Sequence, residues 1–99
     1  MFGSDMLDKL SAMKKMADES KEKLNQLTVE GESGGGLIRI ELNGNRDLRS
    51  FSIHGDHTQM SKEDLEDLIS VALSRALEKA NAVNEQEVLS SAKSVFPGL

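Results

Sequence analysis

Between Ser4 and Leu27 apolar residues recur at alternating spacings of four and three: Met6, Leu10, Met13, Ala17, Leu24 and Leu27, with Ser20 in the one polar slot. That 3.5-residue period marks a helix presenting a narrow seam, and no Gly or Pro interrupts it. Fully helical, the stretch is about 36 Å long. A domain of this size is narrower than that, so part of the helix is expected to project.

The period then shortens to two. Thr28 and Val29 begin a short strand, and Gly31 to Gly36 reads as a flexible turn. Ile38, Ile40 and Leu42 alternate with Arg39 and Glu41, which predicts a strand with one apolar face. Asn43-Gly44 suggests a tight type I′ hairpin, since both residues tolerate positive φ. Asp47 to Ile53 forms the return strand, with Phe51 and Ile53 on one side. Three antiparallel strands over residues 28–54 result.

Ser61 opens a second helix as its cap, and Glu63, Asp64, Glu66 and Asp67 complement the positive end of its dipole. Leu65, Leu68, Ile69, Ala72, Leu73, Ala76, Leu77 and Ala80 make a stripe broad enough to cover a sheet. Past Val83 the stripe changes side: Val88, Ala92, Val95 and Phe96 project roughly opposite to it. Either the helix breaks near Asn84, or one long helix over residues 61–92 serves two surfaces. In the second case those four residues offer a dimer interface. Residues 93–99 are expected to form a loose tail.

Composition narrows the classes. The 99 residues hold 37% hydrophobic side chains but only three aromatics, all Phe, so the core is aliphatic and thin. No apolar run approaches the roughly 20 residues of a membrane span, and the N-terminus lacks secretory patterning. With no Cys, disulfides, thiol catalysis and cysteine metal sites are excluded, and the reducing cytoplasm is the natural compartment. The net charge is −5, yet residues 1–27 balance five Lys against five acids while the remainder is acidic. Positive charge is richest at the N-terminal end.

Its distribution there is ordered. With Leu10, Ala17 and Leu24 at seam position a, Lys9 and Lys23 fall at g and Lys14 and Lys21 at e. Asp5, Asp8, Asp18, Glu19 and Glu22 occupy outer positions. Lys would meet Lys in a simple two-copy coiled coil, so the flanks call for an acidic neighbour or phosphates. Packing on the acidic second helix, with lysine stems shielding the seam, is the plainer of those two readings.

Other candidate chemistry is thin. The Gly31–Gly36 loop has no following Lys-Ser or Lys-Thr and joins two strands, unlike a nucleotide-binding loop. His54, Asp56 and His57 lack the spacing that sets metal ligands on one rigid face. No Ser stands in a Gly-x-Ser-x-Gly elbow, and the carboxylates sit where caps and solvated faces want them. No catalytic residue, metal or cofactor is expected.

Several stretches resemble the YbaB/EbfC family. They are Met1-Phe2-Gly3, Met13-Lys14-Lys15-Met16, and Val29-Glu30-Gly31-Glu32-Ser33-Gly34-Gly35-Gly36-Leu37. Asn43-Gly44-Asn45, Ser50-Phe51-Ser52-Ile53, Leu65-Glu66-Asp67-Leu68, Arg75-Ala76 and Pro97-Gly98 follow in order. The resemblance implies a single α+β domain of order α-β-β-β-α and a homodimer with tweezer-like helical arms. It implies a nucleoid protein that binds double-stranded DNA with little sequence preference, organises the nucleoid and influences gene expression or repair. Recombination or replication proteins are further partners it suggests. Carried onto this chain, the DNA surface falls on Lys9, Lys14, Lys15, Lys21 and Lys23 of the first helix and on Arg75 and Lys79 of the second. Asp18, Glu19 and Glu22 depart from the family's Gln- and Lys-rich arm and point to modest, salt-sensitive affinity. The alternative is a protein-interaction adaptor using the Met-rich seam and the Val88–Phe96 face without touching DNA.

Overall fold

The computed structural model describes residues 2–96 and 98. Met1, Pro97 and Leu99, and with them parts of the terminal motifs and of the expected tail, lie outside the described residues. Helix α1 (Phe2–Gln26) leads into strands β1 (Thr28–Ser33), β2 (Ile38–Asn43) and β3 (Leu48–Ile53), and helix α2 (Lys62–Val95) closes the order. The strands form one antiparallel sheet in the order β1-β2-β3.

The alternation in β2 translates directly into burial. Ile38, Ile40 and Leu42 are buried on the face that α2 covers, and Arg39 is exposed on the other. Ala72, Ala76 and Ala80 of α2 are fully buried against that face. Small side chains let the helix axis lie close to the sheet, and the register sets Gly31 opposite Ile40 directly beneath it. A Cβ on Gly31 would stand 2.1 Å from the Ala72 carbonyl oxygen and 2.4 Å from the Ala76 nitrogen. Gly31 therefore belongs to β1, as a strand residue over which a helix passes, and the turn is confined to Gly34–Leu37. Ser33, buried beside it, donates its hydroxyl to the Leu68 carbonyl at 2.5 Å.

The second turn also differs from its expected form. Asn43 N–H donates to Asp47 O at 2.9 Å and Arg46 N–H to Asn43 O at 3.1 Å, enclosing three residues, Gly44 to Arg46. Arg46, at φ 71°, takes the left-handed conformation, not Asn43 or Gly44. This is the three-residue hairpin loop, which accompanies a shift of register between Glu41 and Leu42.

Helix α2 does not break near Asn84. Ser61 caps its start, accepting from Asp64 N–H at 3.1 Å, and it continues for 34 residues to Val95. Its first half lies on β1 and β2; its second half leaves the sheet and packs against α1. The molecule measures 71 × 21 × 18 Å. Its accessible surface, 7095 Å², is about 1,500 Å² more than expected for a compact monomer of this mass.

Candidate nucleic-acid interface

Helix α1 runs antiparallel to the second half of α2. Leu24 meets the β2–β3 turn near Asn84, the hydroxyls of Ser20 and Ser91 bond to each other, and Lys23 Nζ lies 3.9 Å from Glu87 Oε1. The polar slot in the seam is thus filled by a matching serine, and both Ser20 and Leu24 are buried. Further toward the tip the helices enclose an apolar groove of about 410 Å³, bounded by Met13, Ala17, Val88, Ala92, Val95 and Phe96.

All five α1 lysines are exposed. Lys21 borders the groove, whereas Lys23 stands on the opposite flank beside Glu87. Among the described residues no carboxylate lies within 4.0 Å of Lys9, Lys14, Lys15 or Lys21. The outer sheet face behaves differently. There Arg39 lies 3.7 Å from both Glu30 and Glu32, so its charge is offset within a face that stays net acidic. Lys9, Lys14, Lys15 and Lys21 thus form a row of exposed cations along α1 outside any ion pair among the described residues, as Arg46, Arg49, Arg75, Lys79 and Lys93 are elsewhere.

Arg75 and Lys79 are not brought to that arm. Arg75 Nη1 donates to Glu32 O and Lys79 Nζ to Glu30 O, each at 2.7 Å. Both close the outer edge of β1, at the sheet end of the molecule. Val88, Ala92, Val95 and Phe96 do share one side of α2, but the chain's own α1 covers part of it; Val88 and Phe96 remain more than half exposed.

The base of the arm is held by an amide cluster that periodicity alone does not reveal. Asn43 is 1% exposed. Its Nδ2 donates to Asn25 Oδ1 and Asp47 Oδ2, each at 3.2 Å, and its Oδ1 accepts from Asn45 N–H at 2.8 Å and Asp47 N–H at 2.9 Å. Asn45 Nδ2 reaches Lys21 O and Asn25 Oδ1 on α1, and Asn84 Nδ2 donates to Gly44 O from α2. One turn therefore anchors both helices. Arg46 and Arg49 add two exposed cations here, bonded to Asn81 and to the Asn25 carbonyl. The Asn-Gly-Asn-Arg run is their only signal in the sequence. Asn43→Ala removes the acceptor of two part-buried N–H groups, those of Asn45 and Asp47, so a loss of about 1–2 kcal/mol is expected in urea unfolding.

The remaining candidates do not assemble. His54 Nε2 pairs with Ser52 Oγ at 2.7 Å. The hydroxyl and backbone N–H of Thr58 hold the Asp56 carboxyl below its ordinary range, an exposed turn that ties Asp56 to its own loop. Among the described residues no three His, Asp or Glu side chains converge as a metal site would need. Nor, among the described residues, is any helix long and apolar enough to cross a membrane.

The profile of the YbaB/EbfC DNA-binding family matches residues 2–95. A nucleoid-associated protein of Flavobacterium johnsoniae is 33% identical over 94 residues, covering 95% of this chain and 88% of that protein. A nucleoid-associated protein of Anaeromyxobacter dehalogenans is 36% identical over 90 residues, covering 87% and 84%. The crystal structure of an uncharacterized protein from Helicobacter pylori superposes with a TM-score of 0.83 at 23% identity, over 93% of this chain and 98% of that one. That superposition bears on the fold alone, which the two chains share.

Proposed function

The chain belongs to the YbaB/EbfC DNA-binding family, and on that premise we propose that it is a nucleoid-associated protein that grips duplex DNA by its phosphates. The observation that carries this reading is the row Lys9, Lys14, Lys15 and Lys21, which has no carboxylate partner among the described residues, while Arg39 on the outer sheet face is paired. Lysines are compact point charges suited to phosphate rather than to the forked reading of base edges. The protein therefore binds with little sequence preference and acts on DNA organisation and gene expression without chemistry of its own. Lys23 contributes less, being shared with Glu87, and Arg75 and Lys79 serve chiefly the β1 edge.

A homodimer belongs to the same proposal. Leu48, Phe51 and Leu73 are 63%, 44% and 39% exposed beside the core. The register places Leu48 and Phe51 on the apolar sheet face, beyond the strands that α2 covers. Leu73 projects from the side of α2 away from Arg75. Together with the exposed Val88 and Phe96, this leaves ample apolar surface for a second copy, and pairing would double the lysine rows.

Titration of the protein against labelled duplex DNA at two salt concentrations tests the proposal. About four phosphate contacts would lower the affinity roughly a hundredfold between about 50 and 200 mM salt. Equal affinity for unrelated duplexes of the same length is expected. Absence of binding at the lower salt would overturn the reading and favour the adaptor, whose support is the apolar groove between the helices.

A further inference from the structure

The turn that anchors the arm contains the chain's one Asn-Gly pair, Asn43-Gly44. Asparagine cyclises most readily before glycine, because no side chain hinders the attacking nitrogen. Gly44 cannot be exchanged for a slower residue: a Cβ there would stand 2.7 Å from Leu24 Cδ2 and 2.9 Å from the Leu24 carbonyl oxygen. The contact that demands glycine also shields it. Gly44 N–H donates to Leu24 O at 2.8 Å, which ties up the proton that must leave before the nitrogen can attack. The Asn43 carboxamide is buried and engaged at both ends, Oδ1 by Asn45 and Asp47 N–H, Nδ2 by Asn25 Oδ1 and Asp47 Oδ2. Two of these restraints, Leu24 O and Asn25 Oδ1, belong to α1. That helix is itself lightly held within the chain, with only Ser20 and Leu24 buried among its described side chains. Its release therefore requires less than unfolding of the sheet and the first half of α2.

We propose that Asn43 is a site of spontaneous deamidation whose rate is set by the undocking of α1. When the end of α1 lifts, the Gly44 nitrogen loses its proton to hydroxide and attacks Asn43 Cγ. The new N–Cγ bond closes a succinimide ring, the Cγ–Nδ2 bond breaks, and the departing nitrogen takes protons from water to leave as ammonia. Water then opens the ring at either carbonyl, giving aspartate or isoaspartate. Water is the only co-reactant, and nothing is oxidised or reduced. The product does not fit the closed turn. Where Nδ2 donated, a carboxylate oxygen now faces the Asp47 carboxylate and Asn25 Oδ1, so acceptors meet with no donor between them and like charges adjoin. Asn25 cannot turn its amide round to supply a donor without giving up Asn45 Nδ2, from which it accepts at 2.8 Å. Isoaspartate also adds a main-chain carbon to a turn whose length fixes where both helices dock. Each event leaves α1 less firmly held, and undocking is recorded in the chain as a covalent change.

The rate is read on the full chain by peptide mapping and mass spectrometry during incubation at mildly alkaline pH. Conversion at Asn43 should be about tenfold or more slower in the folded protein than in the urea-unfolded chain, because only the open fraction reacts. Leu24→Ala removes the side chain docked on the turn and leaves the turn's own bonds in place. It should raise the folded-state rate about fivefold or more while amide exchange in β2 stays slow. Should that variant unfold, wild-type protein in urea below its unfolding midpoint gives the same reading: conversion must rise before β2 loses protection. Equal rates in the folded and unfolded chains, or no rise in conversion before β2 opens, would overturn the proposal. Asn43→Asp supplies the aspartate product directly, and it should speed amide exchange along α1 about tenfold with β2 unchanged. Unaltered exchange along α1 would refute the loosening of the arm. None of these measurements uses DNA, so their outcome is distinct from that of the binding proposal.

Discussion

Gly31→Ala is expected to remove about 3 kcal/mol of stability, the upper end of what one added methyl does in a packed interior. The reason lies in what the methyl would meet. Most overpacked sites yield because a neighbouring side chain rotates away. Here the obstacles are the Ala72 carbonyl oxygen at 2.1 Å and the Ala76 nitrogen at 2.4 Å, both backbone atoms of a helix fixed along β1 and β2. The helix must lift, and lifting it uncovers Ile38, Ile40 and Ala72 together. For a chain of this size the total stability is about 5–15 kcal/mol, so the variant sits near the threshold of folding. Thermal unfolding should fall by about 12 °C or more, and the urea midpoint with it. Gly35→Ala is the control: space is open there, although its positive φ carries a smaller strain of its own. Equal midpoints for Gly31→Ala and Gly35→Ala would mean that α2 does not rest on β1 as described.

Lys14→Glu combined with Lys21→Glu is expected to abolish measurable DNA binding while leaving the fold and the oligomer mass unchanged. Both side chains are exposed and neither has a carboxylate partner among the described residues, so the exchange breaks no internal ion pair. Each reversal replaces attraction to a phosphate with repulsion, and the salt slope falls by about one for every phosphate released. The affinity for any duplex should drop about a hundredfold or more, uniformly across sequences. Lys62→Glu is the matched control, since Lys62 already pairs with Glu66 in the first turn of α2, and a change within about twofold is expected. Retained affinity in the double variant would remove α1 as the DNA surface.

What is legible in the sequence is what local periodicity encodes. The α1 seam, the alternation through Ile38, Ile40 and Leu42, and the cap at Ser61 all depend on neighbours within a few residues. Gly31 reads as part of a flexible loop because its burial is decided by Ala72 and Ala76, which are distant in the chain. Asn43-Gly44 suggests a two-residue turn. Asn43, however, is engaged by Asp47 and Asn25, and those bonds favour the longer loop with Arg46 in the left-handed region. Arg75 and Lys79 share a helix face that looks free in projection, and only the placement of β1 reveals the carbonyls they bind. The stripe change after Val83 leaves a break or a continuous helix open; the docking of α1 on the second half supplies the burial that keeps it continuous.

That continuity makes α2 a shaft keyed at both ends. Its angular position is set at the sheet by Ala72 and Ala76 and read out along the arm by Ser91 and Ala92, with no joint between to absorb error. Each residue added or removed near Asn84 would turn the far end by about 100° and shift it by about 1.5 Å relative to the near end. The separation of the two docking surfaces along this chain is therefore a matter of phase as much as of length. Insertions of whole heptads preserve it, and single-residue changes that any loop would accept do not.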